Sequence, residues 1–359
     1  MTKRILIRCD AAPEIGFGHV VRCLALADEL RDQHGCEVSF AMLQGPQGVK
    51  QVQESGYLVH QPQVDSLRLL DEGRWLQRLV SHTATQVLVL DVRTNLAVEA
   101  IQQIRAQGVL IVTIDDPSDC RLAADIAFYP PVPQVERLDW TGFTGKRYVG
   151  WEWVLLRPQF ARYRDQIVNK AVDGRGNKDS SLPLTILVTM GGSDPGGLTL
   201  IALKALDPIE QDLHVIVVLG RGYIHESALQ HWLHQARRTY DLRRDVRDMP
   251  AIMAQADLAI ASFGVTAYEL AVLGVPATYL CLTDDHSESA LAFCDAGIAV
   301  SLGKYRSDTE VAIRRTVITF MENQNARLKM SFNAKNLVDG LGCARIAEKV
   351  IANESGARR

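Results

Sequence analysis

The chain has few of the features that would place it outside the ordinary globular proteins. Across its 359 residues there is no run approaching about eighteen consecutive apolar side chains, so no membrane-spanning helix is expected. The opening stretch, Met1 to Asp10, turns polar after a very short apolar run; it encodes no export signal, and a cytoplasmic protein is expected. Cysteine is sparse and unpaired in pattern. The seven residues Cys9, Cys23, Cys36, Cys120, Cys281, Cys294 and Cys343 are odd in number, widely spaced and free of any CxxC pair. They read as reduced, packed thiols rather than as disulfides or zinc ligands. Basic runs are also missing. With 39 Lys and Arg against 42 Asp and Glu the net charge is -3, which leaves no electrostatic footprint for nucleic acid. Any phosphate must be handled locally.

What is present is core material. Hydrophobic residues make up 47% and charged residues 23%, which excludes disordered and low-complexity classes. At about 150 residues per domain, the length implies two domains. Short apolar runs at Arg4 to Cys9, Glu37 to Met42, Val87 to Leu90 and Val109 to Ile114 alternate with helical spacing at Val20 to Leu30 and Leu96 to Gln107. This is a βαβα pattern, so the class is α/β with parallel sheets. A second cycle follows, with strands expected at Leu184 to Met190, His214 to Leu219, Leu258 to Ala261 and Ala277 to Leu282. Between the cycles, residues 169–183 are polar and rich in Gly, Ser and charge, the composition of a linker. The organisation expected is therefore a first doubly wound domain over 1–168, that linker, and a second over 184–359 whose last helix can pack back on the first. Ligands of such sheets lie outside the carboxyl ends of the strands.

Five such ends carry chemistry. The first strand runs into Asp10 and then Gly16-Phe17-Gly18-His19 ahead of an amphipathic helix. Glycines there admit a ligand close to the backbone, and the helix amino terminus favours an anion. A dinucleotide fingerprint fails, because Val21 occupies the third glycine position and no acid closes the second strand at Met42. His19 is a candidate general base; the alternative is that it only solvates the helix start. Arg22 reads as a surface or ion-pairing residue rather than a ligand contact. After the apolar run Val109 to Ile114, Asp115-Asp116-Pro117 either lines the cleft or starts a turn. In the second half, Gly191-Gly192-Ser193-Asp194 is either a nest of backbone donors with a capping Asp or an ordinary strand-to-helix turn. The segment Ser262-Phe263-Gly264-Val265-Thr266, with Glu269 expected in the first helical turn, can meet phosphate and ribose hydroxyls. Finally, Asp284, Asp285 and His286 read as a solvated loop or a sugar-hydroxyl contact rather than as metal ligands, so neither metal nor cofactor is expected.

The segments RCDAAPEIGFGHVVRCLALADEL, IDDPSDC, LLRPQF, VTMGGSDP, ADLAIASFGVTAYELAVLGVP and VDGLGCARIAE, in that order, resemble the UDP-sugar hydrolases of pseudaminic acid biosynthesis and their spore-coat polysaccharide relatives. The likeness spans Arg8 to Glu348. More distantly, the chain resembles glycosyltransferases built of two Rossmann-like domains. The resemblance implies a GT-B-like enzyme with two such domains facing a cleft, UDP on the carboxyl-terminal side and the sugar on the other, with water displacing UDP. It carries the catalytic histidine onto His19, an accompanying aspartate onto Asp10, the phosphate loop onto Gly191, Gly192 and Ser193, and the ribose-binding acid onto Glu269. Phe17, Phe263 and the Asp285-His286 pair depart from the family's usual threonine, glycine and Asn-Gln, which leaves the sugar open. The rival expectations are a glycosyltransferase with the same nucleotide cradle and a non-catalytic nucleotide-sugar binder.

Overall fold

The structure is a computed structural model that describes residues 2–11, 17–63, 70–92, 96–172 and 183–353. The chain divides into two compact units. The first takes Met1–Arg157 together with Leu341–Arg359, and the second takes Pro158–Gly340.

In the first unit the elements run β1 (Arg4–Cys9), α1 (Gly18–Asp32), β2 (Glu37–Ala41), α2 (Pro46–Glu54), β3 (Leu58–His60), α3 (Glu72–His82), β4 (Val87–Asp91), α4 (Val98–Ala106), β5 (Leu110–Ile114), β6 (Ile126–Tyr129) and β7 (Lys146–Val149). The seven strands form one parallel sheet in the order β3-β2-β1-β4-β5-β6-β7. Its central strands are apolar on both sides because helices cover both faces. Ile5, Ile7 and Cys9 of β1 join Val87 and Val89 of β4 in a core under α1. Leu6, Leu88 and Leu90, one residue out of phase, enter a second core with α3 and α4. The strand period of two thus feeds both layers.

The second unit runs α5 (Pro158–Val172), β8 (Leu184–Thr189), α6 (Leu198–Leu206), β9 (Leu213–Leu219), α7 (Glu226–Leu233), β10 (Asp241–Arg244), α8 (Met249–Met253), β11 (Leu258–Ser262), α9 (Val265–Leu273), β12 (Ala277–Cys281), α10 (Asp284–Asp295), β13 (Ala299–Lys304), α11 (Thr309–Glu322) and α12 (Gln324–Leu337). Its parallel sheet has the order β10-β9-β8-β11-β12-β13. The passage between units falls at Arg157–Pro158, ahead of the expected linker 169–183. The reason is packing: α5 lies on α8 and α9 and so goes with the second unit. Residues 173–182 of that stretch lie outside the described residues.

The last helix, α13 (Gly342–Ala352), returns to the first unit and packs on α1. Cys343, Ile346, Ala347 and Val350 enter the same core as β1 and α1. Lys3 fixes the far end, its Nζ donating to the carbonyl of Ile351 at 2.7 Å. Among the described residues, no helix is long and apolar enough to cross a membrane.

Candidate active site

In each sheet the strand order reverses direction beside the first strand, between β1 and β4 in one unit and between β8 and β11 in the other. Loops leaving neighbouring strands there diverge to opposite faces and open a crevice. The residues singled out by sequence sit mainly on those loops.

At the first reversal, β1 and β4 pair in register with Cys9 opposite Asp91. Asp91 is the last residue of β4, and His19 is the second residue of α1. His19 Nδ1 lies 2.6 Å from Asp91 Oδ1. The same carboxylate accepts from Arg22 twice, Nε to Oδ2 at 2.6 Å and Nη2 to Oδ1 at 2.5 Å. Cys23 Sγ donates to Oδ2 at 3.3 Å. Asp91 is fully buried at 1% exposure, whereas His19 and Arg22 each show 15%. Burial alone would raise the Asp91 pKa, but the adjacent Arg22 and His19 overcome it and hold the carboxyl well below the usual range. For Arg22, desolvation is likewise outweighed by Asp91, so the guanidinium stays charged. Burial pushes the Cys23 thiol up, and it stays neutral.

These charges fix the imidazole. An ionised Asp91 can only accept, so the His19 Nδ1 facing it carries a proton, and in the neutral imidazole Nε2 is then the nitrogen with the lone pair. The 3.2 Å approach of Arg22 Nη2 to His19 Nδ1 is then a contact between two donors. Helix spacing explains the arrangement, since positions 19, 22 and 23 share one face of α1, the face that meets the end of β4.

The other expected residues of this unit are placed differently. Asp10 is buried with both oxygens engaged: Oδ1 accepts from the backbone N–H groups of Leu43 and Gln44 at 2.8 and 3.2 Å, and Oδ2 pairs with the fully buried Arg8 at 2.6 Å. It ties the end of β1 to the loop after β2. Asp115, at the end of β5, adopts φ 51° and pairs with Arg22 Nη1 at 3.3 Å, so it belongs to the His19 cluster. Its neighbour Asp116 is buried and closes a turn by accepting from Ser118 N–H. Phe17 stands immediately ahead of α1, half-buried against the core, and Gly18 is the first helical residue. Gly16 lies outside the described residues.

At the second reversal, Gly191 and Gly192 are exposed and Ser193 half-buried just beyond β8. Gly191 has φ 76°, a left-handed conformation that favours glycine, and a Cβ there would lie 3.6 Å from Ser262 Oγ at the end of β11. The two loops therefore meet. Asp194 caps α6, its oxygens accepting from the N–H groups of Leu198 and Thr199 at 2.8 and 2.9 Å. Gly264 is the N-cap of α9, Thr266 follows half-buried in the first turn, and Glu269 is buried. Glu269 stands one turn further along than expected, because the helix begins directly after Gly264 and its first turn carries no acid.

Phe263 is buried. Its ring packs edge-on with Tyr279 and Phe293 at 5.5 and 5.3 Å, and it reaches the His286 ring at 6.0 Å. The expected polar loop at Asp285 and His286 is instead the start of α10. Thr283 is its N-cap and accepts from His286 N–H at 3.0 Å, and Asp284 and Asp285 suit the positive end of the helix. Asp285 is exposed and His286 half-buried.

Sequence reasoning missed Asp91. Its signal was an acidic residue directly closing an apolar run, but the run was ended one residue early at Leu90. Among the described residues no group of His, Cys, Asp and Glu is arranged to hold a metal ion.

No protein-family model matches the chain. Its backbone is similar to that of MurG from Acinetobacter baumannii, with a TM-score of 0.70 at 18% identity over 98% of this chain and 99% of that one. It is also similar to the UDP-GlcNAc 2-epimerase of Neisseria meningitidis bound to UDP-GlcNAc, with a TM-score of 0.63 at 12% identity over 98% and 100%. Two parallel α/β units with these likenesses define the class: this is a GT-B-fold protein. It is 24% identical over 344 residues, 95% of both chains, to the spore coat polysaccharide biosynthesis protein SpsG of Bacillus subtilis. It is 26% identical over 201 residues, 55% of this chain and 63% of the relative, to the UDP-2,4-diacetamido-2,4,6-trideoxy-beta-L-altropyranose hydrolase of Campylobacter jejuni. It is 24% identical over 351 residues, 94% and 96%, to the pyrophosphoryl-undecaprenol N-acetylglucosamine transferase of Acidithiobacillus ferrooxidans.

Proposed function

We propose that the chain is a UDP-sugar-processing enzyme of polysaccharide biosynthesis, and specifically a hydrolase that releases UDP from an activated deoxyamino sugar without a metal ion. The observation that carries this reading is the 2.6 Å contact of His19 Nδ1 with ionised Asp91, which leaves Nε2 as a base at the end of the first sheet. In the reaction proposed, Nε2 takes a proton from water as the water oxygen bonds to the anomeric carbon. The bond from that carbon to the phosphate oxygen breaks, and its electron pair leaves with UDP. Backbone N–H groups of Gly191 to Ser193 and the amino terminus of α9 are assigned to the departing diphosphate, and Glu269 to the ribose. Asp115 and Phe17 are assigned to the sugar. Asp10, with both oxygens occupied, is assigned a positioning role, tying the end of β1 to the loop after β2.

The test is incubation without acceptor, over a panel of UDP-activated deoxyamino sugars, following UDP release beside His19→Ala. Release by the wild type and loss in the variant supports hydrolysis. A second reading, transfer of the glycosyl group to an acceptor, is favoured by the similarity to the undecaprenol-linked transferase over 94% of the chain. Binding of UDP-sugar with no release of UDP would overturn hydrolysis in its favour.

A further inference from the structure

Neither loop assigned to the diphosphate carries a cation. Between Gly191 and Gly197, and between Ser262 and Glu269, the sequence holds no Lys or Arg. The acid inside the first loop, Asp194, is committed to capping α6. A nucleoside diphosphate resting there would meet N–H groups and hydroxyls alone, with no positive side chain on either loop.

The loop after β9 supplies one. Gly222 N–H donates to the carbonyl of Gly192 at 2.9 Å, and His225 Nε2 donates to the carbonyl of Asp194 at 2.9 Å. The approach at Gly220 is so close that a Cβ there would lie 2.3 Å from the Gly192 oxygen. Residues 220–225 are therefore fastened along the phosphate loop at successive points, with Arg221 carried between two of them. Arg221 is 78% exposed, and among the described residues only its Nε is engaged, with Asp245 at 3.0 Å. The arginines at the end of β10 are held differently. Arg243 engages both oxygens of Asp241, and Arg244 both oxygens of Glu226. An exposed, single-bonded pair such as Arg221–Asp245 contributes little and parts easily.

From this we infer that Arg221 binds the diphosphate: its guanidinium exchanges Asp245 for the outer phosphate of a nucleoside diphosphate whose inner phosphate lies on Gly191 to Ser193. A planar fork of donors suits that bidentate task. The inference rests on the nucleotide reading above, and it adds a side chain that stabilises the leaving group as its charge grows.

The experiment is calorimetric titration of the whole chain with UDP and with UMP, for the wild type, Arg221→Gln and Asp245→Asn. Loss of charge-assisted bonds to phosphate predicts that Arg221→Gln weakens UDP about tenfold or more, while UMP binding holds. Asp245→Asn removes the competing carboxylate, suits a left-handed position at φ 48°, and is expected to bind UDP at least as tightly as the wild type. Wild-type affinity for UDP in Arg221→Gln overturns the inference, and so does an equal loss for UDP and UMP. Binding of neither nucleotide by the wild type overturns the nucleotide reading itself, an outcome distinct from the other two.

Discussion

At the scale of single residues, the Asp91 carboxylate governs the chemistry of His19. Removing the proposed base in His19→Ala is expected to lower turnover by about 10² to 10⁴ while UDP affinity is retained, as read by UDP release and by titration. Asp91→Asn tests the positioning role. An amide no longer compels a proton onto Nδ1, so turnover should fall by a similar order, and the pH profile of the remaining activity should change. The same residue makes a pH-dependent contribution to stability. Its folded pKa is depressed, so the stabilisation is fully present above the unfolded carboxyl value of about 3.9 and is lost as pH falls toward the folded value. Thermal unfolding between pH 7 and pH 3 should therefore show the wild type's advantage over Asp91→Asn shrinking on acidification; at neutral pH, breaking the buried pair is expected to cost on the order of 3 kcal/mol. An advantage that stayed constant with pH would contradict this account. His19 was legible because a histidine beside glycines at a helix mouth is unusual. Asp91 was not, because its role depends on β4 lying next to β1, a non-local pairing that no local spacing announces.

Elements were legible where both faces are buried. Strands β1, β2, β4, β5, β8, β9, β11 and β12 lie inside the two sheets, and each shows an apolar run. The strands that escaped notice include all four edges. β3, β7, β10 and β13 close the two sheets, and segments such as Lys146–Val149 and Asp241–Arg244 are short and partly exposed, so they lack the apolar signature. β6 is buried but only four residues long. The start of α10 was missed because Thr283-Asp284-Asp285 is polar in either state, and only the capping bond from His286 N–H distinguishes a helix start from a loop. At this scale the close fit of the β9 loop against residues 191–193 gives a further prediction. Gly220→Ala would drive a Cβ to 2.3 Å from the Gly192 carbonyl oxygen, so the loops must separate. UDP affinity should fall, with thermal stability lowered by about 1 to 3 kcal/mol. Unchanged UDP binding in that variant would show that the fit does not shape the nucleotide site.

For the whole molecule, the two-sheet architecture was legible from the repeated βαβα cycle, whereas the point of passage between units was not. Composition marks where a chain is polar, and α5 is an amphipathic helix whose allegiance is decided by the helices it packs on. The return of α13 to the first unit carries a prediction of its own. Deleting Leu341 onward strips Cys343, Ile346, Ala347 and Val350 from the first core, at about 1.5 to 3 kcal/mol for each large buried side chain. The first unit should then lose its cooperative unfolding transition while the second keeps its own, as differential scanning calorimetry would reveal; two transitions unmoved by the deletion would refute this. The same return sets a timetable during synthesis. The ribosome emits the whole of 158–340 before the helix that finishes the first core, so the later-made unit can complete itself while the earlier-made one waits, its α1 face unsealed, for the final helix to emerge.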